Sequence, residues 1–141
     1  MTGYVIDASV AVKWLVTEEH SDDAARLLDG HATLTAPELI FAEAANALWA
    51  MRRRGDFGRE DLREAIDALA DVPVVPATIR DLAASAVRLA VDLDHPVYDC
   101  FYLSLSMRAQ YPVVTADRRF LDKVRGHPYL ADHILHIGDL P

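Results

Sequence analysis

Four acids, Asp7, Glu43, Asp99 and Asp117, stand where carboxylates can do chemistry together. Asp7 follows the apolar run Tyr4-Val5-Ile6 and precedes a helical stretch; Asp117 lies two residues beyond Val113-Val114-Thr115 and ahead of another. Ligands of open parallel α/β sheets bind outside the carboxyl ends of the strands, so acids in these two places can face one crevice. Each is equally well placed to cap its following helix, because Asp is a favoured N-cap residue. Glu43 belongs to a helical stripe with Ile40, Ala44, Ala47, Leu48 and Met51, and it is the one polar member. A carboxylate on such a stripe needs a partner, since burying an unpaired charge is expensive. It either reaches solvent or an Arg from the stripe's edge, or approaches the sheet end as a metal ligand. Asp99 falls in the first turn after Pro96, where an acid suits the positive end of the helix dipole, with Asp94 as a competing cap.

If the four converge, their chemistry is constrained. Clustered carboxylates repel, and some take up protons unless a cation compensates. Hard oxygen ligands without a His or Cys cluster select Mg²⁺ or Mn²⁺ over zinc. Such ions activate water and stabilise charge on a phosphate in transfer. Ser9 and Thr115, each two residues from one of the acids, are placed to orient a carboxylate or a water, or to satisfy local backbone groups. Arg118 and Arg119, beside Asp117, are placed for substrate phosphate or are plain surface charges. The formal net charge of −8 argues against a nucleic-acid partner unless bound metal supplies the positive end.

The elements that must position these residues read as one α/β domain over residues 1–141, without repeats or flexible linkers. Short strands are expected at Tyr4 to Ile6, Thr33 to Ala36, Val72 to Val75, Pro112 to Thr115 and Ile134 to Ile137. Helices are expected from Ala8 to Val16, Ser21 to Leu28, Pro37 to Arg54, Gly58 to Asp71, Ile79 to Leu93, Pro96 to Ala109 and Arg118 to Val124. Pro37 suits a first helical turn and Gly55 a C-terminal cap. Phe41, Ala45 and Trp49 form a second apolar line on the Glu43 helix, read first as core and second as a dimer or partner surface. Arg52, Arg53 and Arg54 with Arg59 and Arg63 make a basic patch, either a solvated helix end or a guide for an RNA backbone. His133 and His136 would face opposite sides of a strand, so no metal is expected there. The single Cys100 allows no internal disulfide, and neither a signal peptide nor a membrane-spanning run is visible, so the expected location is cytoplasmic.

At these residues the chain resembles the PIN-domain family, most closely the VapC-type ribonuclease toxins of toxin–antitoxin pairs. The resemblance rests on Val5-Ile6-Asp7-Ala8-Ser9 with Val12-Lys13-Trp14, Ala36-Pro37-Glu38-Leu39 leading to Ala42-Glu43-Ala44-Ala45-Asn46, Val97-Tyr98-Asp99-Cys100-Phe101-Tyr102-Leu103, and Val114-Thr115-Ala116-Asp117-Arg118. These run in family order and fade only after about Arg125. The resemblance implies a PIN-like α/β/α sandwich with a central parallel sheet, and divalent metal on Asp7, Glu43, Asp99 and Asp117 with Ser9 or Thr115 assisting. It also implies metal-dependent RNA cleavage, dimerisation, and inhibition by a cognate VapB-type antitoxin. The competing reading is a non-catalytic PIN-fold module that binds RNA or protein. A phosphatase with Asp7 as nucleophile would want an acid two residues on, where Ser9 stands.

Overall fold

Five short runs rich in apolar residues line up in one all-parallel sheet in the computed structural model, which describes residues 2–141. The strands are β1 (Gly3–Ile6), β2 (Thr33–Pro37), β3 (Val75–Ala77), β4 (Val113–Thr115) and β5 (Ile134–His136), in the spatial order β3-β2-β1-β4-β5. Parallel strands need crossovers, and helices supply them: α1 (Ala8–Leu15), α2 (Ser21–Arg26), α3 (Leu39–Arg54), α4 (Arg59–Leu69), α5 (Ala83–Leu93), α6 (Val97–Ala109) and α7 (Arg118–Arg125). Helices α1 to α4 pack on one another, α5 packs on α6, and α6 lies against β1, β2 and β4. Right-handed crossovers put the first set on one face and the second on the other, because the order reverses at β1. The result is the expected α/β/α sandwich.

Strands covered on both faces must be apolar throughout. Val5, Ile6, Val113 and Val114 are all fully buried, each contributing roughly 1.5–3 kcal/mol of burial. Helix α6 is hydrophobic nearly all round for the same reason, with Cys100, Tyr102, Leu103 and Leu105 buried between α5 and the sheet. The reversal of strand order falls between β1 and β4, whose registers pair Val5 with Val113 and Ile6 with Val114. Asp7 continues that ladder by donating its backbone N–H to the Val114 carbonyl at 3.1 Å. A switch point of this kind opens a crevice at the carboxyl end of the two strands, and this is where the acids lie.

Several boundaries differ from the sequence expectation. The strand expected at Val72 to Val75 is β3 at Val75–Ala77, because its register is set by β2: Thr35 pairs with Val75 and the Thr35 hydroxyl donates to the Val75 carbonyl at 2.7 Å. Pro76 is tolerated there because β3 is an edge strand. Pro37 ends β2 and pairs with Ala77, so α3 starts at Leu39. Asp94 does not compete to cap α6; it closes α5 in the left-handed region at φ 50°. Gly55 does end α3 as expected, at φ 81°, with its N–H on the Arg52 carbonyl. No helix among the described residues is long and apolar enough to cross a membrane.

Candidate active site

Asp7 is the innermost acid. It precedes α1 in the N-cap position, but its side chain makes no capping bond and the residue is only 5% exposed. Its Oδ2 instead accepts from two hydroxyls, Ser9 Oγ at 2.5 Å and Thr115 Oγ1 at 2.8 Å. Those hydroxyls in turn accept backbone donors from the β4–α7 turn: Ala116 N–H on Ser9 Oγ at 2.9 Å and Asp117 N–H on Thr115 Oγ1 at 3.0 Å. A hydroxyl has one proton, and both are directed at Asp7. Ser9 and Thr115 therefore lock the end of β1 to the turn after β4 through the carboxylate.

Glu43 approaches from α3. Ile40, Ala44 and Leu48 on the same stripe are buried against the core, which turns the half-buried Glu43 toward the sheet end. Its protein partner is not an Arg but the buried Tyr102, whose hydroxyl donates to Oε1 at 2.7 Å. Asp99, on the first turn of α6, has its Oδ2 2.6 Å from Nε2 of the buried His95. Asp117 is a helix cap: its Oδ1 accepts the N–H groups of Arg119 at 3.0 Å and Phe120 at 3.2 Å. Each acid thus has a dedicated donor.

The acids feel one another. Burial pushes the Asp7 carboxyl up to about 7 against the Ser9 and Thr115 hydrogen bonds, with Asp99 and Glu43 adding repulsion. Glu43 is raised by burial first and by Asp99, against the Tyr102 hydrogen bond. Asp99 is raised by burial and by Asp117, against its hydrogen bond and attraction to His95. Asp7, Glu43 and Asp99 repel pairwise, and Asp117 reaches the group through Asp99. The Tyr102 hydroxyl, ringed by these charges and buried, keeps its proton.

The arrangement brings all four expected acids, with Ser9 and Thr115, to the carboxyl end of the sheet. It does not draw them into a ready ligand set: among the described residues no three Asp, Glu, His or Cys side chains are grouped so that they could hold a metal ion. Each carboxylate is turned to its own donor instead. The donor chemistry nonetheless fits a hard divalent cation, because mutually repelling carboxylates, one of them buried, are what such a charge would stabilise. Asp99 and Asp117 each keep one carboxylate oxygen without a hydrogen-bond partner among the described residues.

Arg118 and Arg119, on the exposed first turn of α7, make no ion pair among the described residues. A cleft of about 270 Å³ lined by Ser9, Ala116, Lys13, Ala47 and Arg54 opens beside the Ser9 hydroxyl that binds Asp7. The triple-arginine patch is partly spent locally: Arg54 pairs with Asp56 at 3.0 Å and Arg53 lies over the Trp49 ring at 5.3 Å. Trp49 is 57% exposed and Ala45 is exposed as well, so of the second apolar line only Phe41 packs on the core. His133 and His136 have separate partners, Ser106 for the first and His20 with the Gly138 N–H for the second.

His95 and Tyr102 were not singled out from the sequence. Tyr102 carried a faint signal, a polar-tipped aromatic three residues after Asp99 on a helix with no polar face. His95 carried less, because Pro96 separates it from the helix that holds its partner.

Comparison with known proteins gives three findings. The family model for the PIN domain matches residues 4–126. A curated relative, Ribonuclease VapC3 of Pyrobaculum aerophilum, is 27% identical over 121 residues, covering 84% of this chain and 92% of the relative. The crystal structure of PAE2754 from Pyrobaculum aerophilum superposes with a TM-score of 0.69 at 26% identity, over 97% of this chain and 85% of that one.

Proposed function

This chain belongs to the PIN-domain family, and from that premise we propose that it is an Mg²⁺- or Mn²⁺-dependent endoribonuclease, the toxin of a toxin–antitoxin pair. The observation that carries this reading is the mutually repelling set of the buried Asp7 and the half-buried Glu43 and Asp99 at the switch point of the sheet. The likeness to a protein named a ribonuclease supports the substrate class.

Asp7, Glu43, Asp99 and Asp117 would hold the metal, which when bound supplies positive charge for a phosphate and a more acidic water. The chain's own residues do the rest. Ser9 and Thr115 hold Asp7 by one oxygen and keep the β1 and β4 ends together. Tyr102 fixes Glu43. Arg118 and Arg119 are exposed in the first turn of α7 directly after Asp117, available to an RNA backbone passing the acids. The cleft beside Ser9 and Ala116 offers room for a nucleotide next to the cut.

In this reading the partner is a VapB-type antitoxin that covers the acids, the chain acts as a homodimer, and it works in the cytoplasm. The exposed Trp49 on α3 and Val87 and Val91 on α5 offer apolar contact area for such partners. Incubation of labelled RNA with the protein and Mg²⁺ or Mn²⁺ tests the chemistry: cleavage is expected, and it is lost with chelator and in Asp99→Asn. RNA cut equally well under all three conditions would refute metal-dependent catalysis by these acids. A PIN-fold binding module without catalysis would bind RNA or protein, leave RNA intact and take up no metal.

A further inference from the structure

We propose that His95 is a positioning residue for the metal centre, holding Asp99 by one oxygen so that the other faces the remaining acids; this rests on the metal-dependent reading above. His95 sits in the three-residue link Asp94-His95-Pro96 between α5 and α6. Its side chain is 3% exposed, and Nε2 lies 2.6 Å from Asp99 Oδ2. Nδ1 is buried with no hydrogen-bond partner among the described residues. Nε2 faces an acceptor carboxylate, so it carries a proton and donates to Asp99.

The ring is also fixed from its other side. It stacks on Phe120 of α7, with centroids 5.2 Å apart and planes 19° apart. The Phe120 N–H is one of the two donors that hold Asp117. One imidazole therefore links the carboxylate of α6 to the turn that carries the carboxylate of α7. The backbone supports this placement: Asp94 takes a left-handed turn at φ 50°, and the His95 N–H is tied to the Ala90 carbonyl at 3.1 Å. A carboxylate with one oxygen bonded to a rigid donor has lost most of its freedom before any ion arrives. Loss of a hydrogen-bonding partner behind a metal ligand typically weakens metal affinity by about tenfold to a hundredfold.

The test is Mn²⁺ binding to the whole chain, read by electron paramagnetic resonance of the free ion, with melting curves confirming that each variant folds. His95→Phe keeps a ring against Phe120 and removes the donor. His95→Met removes the donor with a flexible side chain, and His95→Gln has nearly the same size and restores an N–H. The expected result is Mn²⁺ affinity about tenfold or more lower in Phe and Met, and within about threefold of the original in Gln. A donorless variant that folds and binds Mn²⁺ as tightly as the original overturns the proposal. So does a folded Gln variant as weak as Met. An original chain that takes up no Mn²⁺ overturns the metal centre itself, and this inference with it.

Discussion

Asp7 and Asp117 occupy equivalent places in the chain, each just past a buried parallel strand and immediately ahead of a helix. Their side chains are used differently. Asp117 is exposed and caps α7, accepting two backbone N–H groups with one oxygen. Asp7 is buried, leaves the start of α1 uncapped, and accepts from Ser9 and Thr115. The cause is position in the sheet. β1 is the central strand, flanked by β2 and β4 with α6 packed against it, whereas β4 lies one strand nearer the edge. The same local pattern thus yields a carboxylate that is costly to ionise in one place and a solvated cap in the other.

The sharpest way to break this comparison is RNA cleavage by Asp7→Asn and Asp117→Asn. With Asp7 at the centre of the repelling set, Asp7→Asn is expected to lose about 10³-fold or more, corresponding to several kcal/mol of charge stabilisation. Asp117→Asn, which reaches the set only through Asp99, is expected to lose about ten- to a hundredfold. Equal losses in kcat/KM would show that burial does not rank the two acids.

A second difference appears in stability without metal. Asp7 is held at about 7 in the folded chain, above its ordinary 3.8, so the folded state binds this proton more tightly than the unfolded state does. The stabilisation is complete below about pH 4 and is lost as pH rises through about 7. Asp7→Asn has no charge to bury. In chelator it is expected to exceed the original chain by about 2–4 kcal/mol near pH 8, a margin that shrinks toward zero near pH 4. Urea midpoints across that range check it, and a margin independent of pH would contradict the burial argument. Added Mn²⁺ is expected to reverse the ranking, because only the original chain gains from binding.

The smallest effect belongs to the cap. Asp117→Ala is expected to cost about 1 kcal/mol, and Asp117→Asn only a few tenths, since Asn caps nearly as well. Thermal melts of the two variants separate capping from charge. If both cost the same, the carboxylate's charge rather than its hydrogen bonds supports α7.

Much of the site was legible because the relevant signals are local. An acid after an apolar strand, an acid on an apolar stripe and an acid one turn past a proline can each be read from a few neighbouring residues. The PIN-domain order of the four motifs joined them. The partners of those acids were not legible, because Glu43 meets Tyr102 across 59 positions and Asp7 meets Thr115 across 108. The Phe41, Ala45 and Trp49 line shows the converse failure: periodicity marks a helix face but not what lies opposite it, and here Trp49 faces solvent.

The sequence by itself determined that this is an α/β chain with carboxylates at the ends of two strands and near the starts of two helices, because strand and helix periods are properties of adjacent residues. The candidate ligands it offers are all carboxylates, a donor set that favours a hard cation. Only the tertiary structure decided which acid is buried, which is a cap, and which side chains hold them. Those outcomes depend on β1 lying centrally between β2 and β4, and strand order is fixed by packing between segments far apart in the chain.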